Sequence, residues 1–212
     1  MTDGALPFGG AVLCGGASRR MGTDKALLAV GRQPMSLRVT IALQLAGAQS
    51  VAAVGGEGVG VAAHGLRVVP DERPGEGPLA AVATALRAER PPPIAPADHA
   101  RGRPEVRPGD DDIVLVAACD LLQPSATAMR ATVAALAAAP AADLAVPIAD
   151  GRRQWGQAAW RLRALPALDG ALEAGERSIR RAVVASGLVV EEVHGLDPAQ
   201  LADADTPDDL AH

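Results

Sequence analysis

The segment GAVLCGGASRRMGTDK (residues 10–25) is the strongest indication of the fold class, because a short apolar strand runs directly into a glycine-rich, basic loop. The strand is predicted over Gly10–Cys14. After the loop, Pro34–Leu45 carries apolar residues at helical spacing, and Gly47 supplies a helix stop signal. A strand, a loop and a helix in this order are typical of an α/β unit.

Strands and helices alternate outward from this stretch. The further predicted strands are Ser50–Val54, Leu66–Pro70, Ile113–Ala118, Leu144–Ile148, Gln154–Arg161 and Leu188–His194. The further predicted helices are Pro78–Arg90, Pro124–Ala139, Leu162–Ala174, Ser178–Ala185 and a short final helix that begins near Thr206. The alternation predicts a three-layer α/β/α fold with a mostly parallel, doubly wound, Rossmann-like sheet. Ligands bind such sheets outside the carboxyl ends of the strands, so the loops after Cys14, Pro70 and Ala118 are expected to face one crevice.

Length and composition favour one globular domain. The chain has 212 residues, of which 49% are hydrophobic, and we predict a single domain over residues 1–212. A proline-rich segment at about residues 90–112 is expected to be a flexible surface insertion. No apolar stretch is long enough to span a bilayer, and the first ten residues lack the basic start of a signal peptide. We therefore expect a cytoplasmic protein that does not bind membranes.

Charge and aromatic content argue against nucleic-acid binding. The net charge is −5, and the chain has one Phe, two Trp and no Tyr, so it lacks both a basic surface and stacking platforms. Cys14 and Cys119 form no CxxC pair and no His cluster accompanies them, which argues against zinc. Two buried thiols are expected instead.

Lys25 stands out because it is the only lysine among the 20 Lys and Arg residues. In a chain that uses Arg for almost every positive charge, a retained Lys indicates that a compact, flexible ammonium is required there. Chance retention is the alternative explanation.

The loop after the first strand has the chemistry of a phosphate cradle. Gly15 and Gly16 allow backbone N–H groups to approach a triphosphate closely, and Arg20 and Lys25 supply positive charge. An ordinary tight turn explains the paired glycines equally well. Adjacent glycines exclude the GxGxxG fingerprint, and Thr-Asp after Gly22 excludes a P-loop.

Carboxylates follow at expected strand ends. Asp120 ends the most apolar strand and is suited to bind Mg²⁺, although a helix cap or turn residue is the alternative. Asp205 offers a second metal ligand, but it also precedes a predicted helix start at Thr206-Pro207. Asp71 and the backbone of Gly77–Leu79 could contact a nucleotide base, or could simply form a loop and a helix start.

The segment Leu13–Lys25 matches the pattern LxGGxSxRMGxDK and resembles the molybdenum-cofactor guanylyltransferase family of MobA-like NTP transferases. Further similar segments are VVPDERPGEGPLAA (Val68–Ala81), Cys119-Asp120, GER (Gly175–Arg177) and DTPDDL (Asp205–Leu210). The resemblance therefore covers nearly the whole chain outside the proline-rich segment.

The resemblance implies a nucleotidyltransferase that binds GTP and Mg²⁺ and transfers GMP to the phosphate of molybdopterin carrying molybdenum. Lys25, Arg20 and Asp120 would be catalytic, and Asp120 and Asp205 would hold the metal ion. The nucleotide would contact Leu13, Cys14, Gly15, Gly16, Ser18, Lys25, Asp71, Gly77, Pro78, Leu79 and Asp120. Transient contact with other cofactor-biosynthesis proteins is also implied.

Three departures from the family pattern leave alternatives open. Leu121-Leu122-Gln123 follow Asp120 where a proline is frequent, Gln154–Gln157 replace a His-Pro pair, and Asp203 and Asp205 stand where Asn is frequent. One alternative is a different small-cofactor nucleotidyltransferase of this fold, for example one that uses CTP. The other is a non-catalytic nucleotide- or pterin-binding accessory protein.

Overall fold

A computed structural model describes residues 7–15, 25–30, 33–56, 61–62, 65–89 and 112–204. The strands are β1 (Phe8–Leu13), β2 (Ala29–Val30), β3 (Gln33–Pro34), β4 (Ala48–Val54), β5 (Arg67–Val69), β6 (Ile113–Ala118), β7 (Leu144–Ala149), β8 (Arg152–Arg153), β9 (Ala159–Arg161) and β10 (Val190–Val193). The α-helices are α1 (Met35–Ala46), α2 (Pro78–Ala88), α3 (Ala126–Ala138), α4 (Leu165–Glu173) and α5 (Ile179–Ala185). Short 3-10 helices cover Lys25–Leu27, Trp155–Gln157, Leu162–Ala164 and Pro198–Leu201.

The main sheet is mostly parallel, as predicted. Its strand order is β10-β7-β9-β6-β1-β4-β5, and β8 pairs with β7 beside this path. β1 lies between β6 and β4, with Leu13 in register with Ala118 on one side and Val54 on the other. Among the described strands of this sheet, only β8 and β9 run antiparallel to their neighbours, while β2 and β3 form a separate two-stranded ribbon.

Helices cover both faces of the sheet. Along β1 the side chains alternate between the two faces, so Val12 packs in the core beneath α1 and α3, whereas Ala11 and Leu13 pack beneath α2, α4 and α5. Both cores are rich in Ala, Val and Leu. The three-layer α/β/α prediction is therefore confirmed.

The helix ends follow local signals in the sequence. Gly47 ends α1 in the left-handed conformation with φ 105°. The Ser125 hydroxyl accepts a hydrogen bond from the Ala128 N–H, so α3 begins at Ala126, two residues later than predicted from Pro124. Pro78 occupies the first turn of α2, where its missing N–H costs nothing.

The prediction of one strand over Gln154–Arg161 is wrong in its first half. The Gln154 N–H donates to the Pro147 carbonyl at 2.8 Å and closes a hairpin, and Trp155–Gln157 then turns as a 3-10 helix. Only Ala159–Arg161 is a strand, inserted antiparallel between β6 and β7. The chain must reverse direction here before it can enter the sheet, and apolar periodicity carries no signal for that reversal.

Two predictions fall outside the described residues. All of the proline-rich segment except Asp112 lies outside them, as does the final helix predicted near Thr206. Both stay predictions.

Candidate active site

The carboxyl ends of three neighbouring strands meet at one edge of the sheet. The hydrogen-bond ladder continues past the strand ends: the Cys14 N–H donates to the Val54 carbonyl at 2.8 Å, and the Cys119 N–H donates to the Leu13 carbonyl at 3.1 Å. Beyond this last rung the chain continues to Gly15 on one strand and Asp120 on the other. The predicted phosphate loop and the predicted metal ligand therefore leave the sheet side by side.

Gly15, Gly55 and Asp71 form a tight corner at this edge. A Cβ atom on Gly55 would lie 3.0 Å from the Gly15 Cα, and a Cβ atom on Gly15 would lie 3.7 Å from Asp71 Oδ2. Asp71 Oδ1 accepts a hydrogen bond from the Arg73 N–H at 3.0 Å, which orients the carboxylate. The structure thus brings together Gly15 and Asp71, two of the predicted nucleotide contacts.

Gly55 is a corner residue that the sequence reasoning missed. It has φ +75°, a conformation that favours glycine, and its N–H donates to the Val69 carbonyl at 2.9 Å. The available signal was a pair of glycines directly after a predicted strand, which is the same pattern as Gly15-Gly16.

Asp120 lies beside a segment that is distant in sequence. The Asp120 carbonyl accepts a hydrogen bond from the Ala204 N–H at 2.8 Å, and the Leu122 N–H donates to the Ala202 carbonyl at 3.0 Å. Leu121 and Asp203 face each other in an antiparallel bridge. This pairing places residues 202–204, which include Asp203, beside the half-buried Asp120.

Two side chains hold these paired segments against the rest of the molecule. Arg38 on α1 donates from NH2 to the Leu122 carbonyl at 2.8 Å. The buried Gln157 donates from Nε2 to the Leu201 carbonyl at 2.8 Å. Gln157 belongs to the turn that departs from the family pattern, and its role here is to anchor the 202–204 segment.

Carboxylate oxygens of the kind that hard divalent cations prefer lie at this edge. Asp120 supplies one carboxylate, and the paired segment contains one more acidic residue, Asp203, which faces Leu121. Mg²⁺ is usually held by one or two protein carboxylates, with water and substrate phosphates completing its coordination. Within the described ranges no group of three or more His, Cys, Asp and Glu residues could hold a metal ion.

Several predicted site residues lie outside the described part of the chain. Gly16, Ser18, Arg20 and Asp205 are among them, and Lys25 is described by its backbone alone, as the first residue of a 3-10 helix. Their functional roles stay predictions.

The start of α2, formed by Gly77, Pro78 and Leu79, lies on the same face of the sheet as the Leu13 side chain. The Leu79 N–H donates to the Arg177 carbonyl at 3.3 Å. Arg177 therefore contacts the start of α2, although the sequence indicated only that the GER segment resembles the family.

Glu176 organises the turn that contains Arg177. Its Oε1 accepts hydrogen bonds from the N–H groups of Arg177 and Ser178, each at 2.7 Å. Arg181 binds both carboxylate oxygens at 2.8 Å. The Arg181 guanidinium, with help from the two N–H groups, lowers the pKa of Glu176 to about 2, so the carboxylate is ionised at neutral pH.

The turn after β8 lies against the end of β6. A Cβ atom on Gly156 would lie 3.5 Å from the Ala118 Cβ. Trp155 is half-buried, and the Arg153 guanidinium lies 5.6 Å from the centre of its ring. Arg153 also pairs with Glu192 at 2.7 Å, so this arginine is engaged within the protein.

The two tryptophans differ in burial: Trp160 is fully buried, whereas Trp155 packs only partly against the core. Cys14 and Cys119 are buried, unbridged thiols, as predicted. None of the helices in the described residues is long and apolar enough to cross a membrane.

Sequence comparisons with known proteins indicate one family. Residues 10–188 match the MobA-like NTP transferase domain. The molybdenum cofactor guanylyltransferase of Rhodobacter capsulatus is 32% identical over 97% of this chain and 94% of its own length. A probable molybdenum cofactor guanylyltransferase of Pelotomaculum thermopropionicum is 48% identical over a shorter stretch, 36% of this chain and 37% of that protein.

A solved structure shows the same fold. The molybdopterin-guanine dinucleotide biosynthesis protein A of Archaeoglobus fulgidus superposes with a TM-score of 0.67 over 97% of this chain and 95% of its own. The two sequences are 18% identical, so this likeness concerns the fold alone.

Proposed function

The chain belongs to the MobA-like NTP transferase family and is a nucleotidyltransferase; from that premise we propose that it transfers GMP from GTP to the phosphate of molybdenum-molybdopterin. Pyrophosphate is the second product, and Mg²⁺ is the metal ion. The acceptor and the base follow the names of the similar proteins, which are molybdenum cofactor guanylyltransferases.

One observation carries the proposal: the strand register that brings the corner of Gly15, Gly55 and Asp71 to the same sheet edge as Asp120. A triphosphate on the glycine corner would then lie next to the carboxylate that binds the metal ion. The backbone pairing of Asp120 with Ala204 adds support, because Asp205 directly follows Ala204 in the chain.

The proposed reaction is an in-line displacement at the α-phosphorus of GTP. An oxygen of the acceptor phosphate forms the new P–O bond while the bond from the α-phosphorus to the bridging oxygen breaks. The electron pair of the broken bond leaves with pyrophosphate. Such a reaction depends on positioning and charge neutralisation, so no nucleophilic side chain is required.

The predicted catalytic and metal-binding residues and several of the predicted nucleotide contacts have parts in this scheme. Lys25 and Arg20 neutralise the pyrophosphate as negative charge builds up on it. Asp120, with Asp205 as a second ligand, would hold Mg²⁺, which would supply positive charge near the α-phosphate. Gly15 presents backbone without a side chain, and the start of α2 at Gly77–Leu79 contacts the base.

The test is pyrophosphate release from each of the four nucleoside triphosphates, with and without molybdenum-molybdopterin and Mg²⁺. We expect release that requires the acceptor and Mg²⁺ and is fastest with GTP. Faster pyrophosphate release with CTP than with GTP would change the nucleotide in this proposal from GTP to CTP. Thermal stabilisation by nucleotide without any pyrophosphate release would identify a non-catalytic accessory protein and refute the proposed activity.

The proposal also concerns the cellular setting. The acceptor is an intermediate of cofactor synthesis, so the enzyme would act in the cytoplasm and contact other cofactor-biosynthesis proteins transiently. Co-purification of such proteins only when the acceptor is being made would support this part.

A further inference from the structure

The turn Gly175–Ser178, here called the GERS turn, packs against the segment that leads into α2. The Arg177 carbonyl accepts the hydrogen bond from the Leu79 N–H at 3.3 Å. A Cβ atom on Gly77 would lie 3.2 Å from both the Arg177 Cβ and the Arg177 carbonyl oxygen. The backbone at Gly77 is therefore in close contact with Arg177, and φ 87° at this residue also favours glycine.

The Arg177 side chain links the same two segments. Its NH2 lies 3.0 Å from Glu76 Oε2, and Arg73 lies 3.6 Å from the same oxygen. Its NH1 donates to the Leu172 carbonyl at 3.1 Å and to the Glu176 carbonyl at 2.9 Å. One guanidinium thus ties Glu76, the residue before Gly77, to the carbonyl end of α4.

The GERS turn is itself rigidly organised, so it can act as a fixed support. Glu176 accepts hydrogen bonds from two backbone N–H groups of the turn, and Arg181 on α5 binds both of its oxygens. The Glu176 N–H donates to the Ala171 carbonyl at 2.9 Å, which attaches the turn to α4. Arg177 extends from this support toward Glu76 and Gly77.

We propose that Arg177 is a positioning residue that holds Glu76 and Gly77 in place, and thereby sets the affinity for the base of the nucleotide and the preference among bases. The inference rests on the proposed function, in which the start of α2 contacts the base. Within the described residues, the side-chain partners of Arg177 include no predicted phosphate or metal ligand. Its loss should therefore affect nucleotide binding and leave the displacement step intact.

The pair between Arg177 and Glu76 is partly exposed, with 39% and 36% of the two side chains accessible to solvent. Exposed ion pairs contribute little to global stability. A variant at Arg177 should consequently fold, and its defect should appear in the KM for nucleotide rather than in the melting temperature. A purely structural role would reduce the active fraction, and with it kcat, without changing KM.

The experiment measures steady-state kinetics of wild type, Arg177→Ala, Arg177→Lys and the control Arg180→Ala. Arg180 is an exposed arginine on α5, so its substitution removes the same charge close by. For Arg177→Ala we expect the KM for GTP to rise about tenfold, with kcat at saturating GTP and the KM for the acceptor within about twofold of wild type. The ratio of kcat/KM between GTP and ATP should fall, and Arg180→Ala should match wild type.

Arg177→Lys decides the question if the alanine variant does not fold. Lysine keeps the charge but lacks the fork that reaches Glu76 and two carbonyls together, so its KM for GTP should also rise. An unchanged KM and base preference in every folded Arg177 variant would overturn the inference. Absence of nucleotidyl transfer by wild type would instead refute the proposed function, so the two failures can be told apart.

Discussion

Replacing Gly55 by Ala tests whether the glycine corner is as tight as the structure indicates. The substitution has two costs. A non-glycine residue in the left-handed region costs about 1–2 kcal/mol, and Gly55 has φ +75°. The new Cβ would also lie 3.0 Å from the Gly15 Cα and 3.1 Å from the Gly15 N. Displacing these backbone atoms costs more than moving the end of a flexible side chain. Such overpacking costs about 1–3 kcal/mol.

Gly195→Ala separates these two costs. Gly195 has φ +77°, but a Cβ there meets no atom within 4 Å, so only the conformational cost applies. We expect Gly55→Ala to be less stable than Gly195→Ala by the overpacking cost alone, about 1–3 kcal/mol. For a domain of this size each kcal/mol lowers the melting temperature by roughly 2–4 °C. The expected gap between the two variants is therefore roughly 2–12 °C.

The assays are thermal unfolding followed by circular dichroism, and GTP binding by isothermal titration calorimetry below both melting temperatures. Gly55→Ala should bind GTP more weakly than Gly195→Ala, because relief of the contact displaces Gly15. Equal melting temperatures for the two variants would refute the close contact between Gly55 and Gly15. Equal GTP affinities of the two variants would show that the corner is not part of the nucleotide site.

Three further predictions concern single charged groups. Lys25→Arg should lower turnover by about tenfold or more, because a planar guanidinium replaces a compact ammonium; near-normal kinetics in a pyrophosphate-release assay would contradict a specific role. Asp120→Asn should abolish the Mg²⁺-dependent activity and should weaken nucleotide binding, measured without metal, far less than it lowers activity; a Mg²⁺ titration identical to that of wild type would exclude Asp120 as a ligand. Arg181→Ala should raise the pKa of Glu176 from about 2 toward its ordinary value of 4.5, as measured by NMR titration of the side-chain carboxyl. Since the folded-state pKa is lowered, the contribution of Glu176 to stability is present above pH 4.5 and is lost as the pH falls through about 2. This loss should be smaller in the variant, where the Ser178 and Arg177 N–H groups still lower the pKa.

Much of the fold was predictable because local side-chain patterns carry it. The apolar run IVLVAA gives β6, Gly47 ends α1, and Pro78 opens α2. Each of these signals acts within a few residues of the position it determines. The prediction over Gln154–Arg161 was wrong where a reversal of chain direction intervened, since the direction of a strand depends on the neighbours it joins.

The candidate site was likewise predictable only in part. The pattern from Leu13 to Lys25 and the carboxylate Asp120 indicate a phosphate loop and a metal ligand through residue type and spacing alone. Nothing near Gly55 or Arg177 in the sequence indicates which residues they contact. Gly55 is close to Gly15 because β4 pairs with β1, and Arg177 is close to Gly77 because α4 and α5 pack beside α2.

The order of side chains is enough to predict the alternation of strands and helices, the glycine-rich loop and the carboxylate at the end of the most apolar strand. Only the folded chain shows that Ala202–Ala204 pairs with Asp120–Leu122, that Gly55 completes the corner with Gly15 and Asp71, and that Arg177 supports the start of α2. These contacts are made largely by backbone groups. Every residue other than proline has the same N–H and C=O groups, so their pairing between distant segments leaves no mark in the order of side chains.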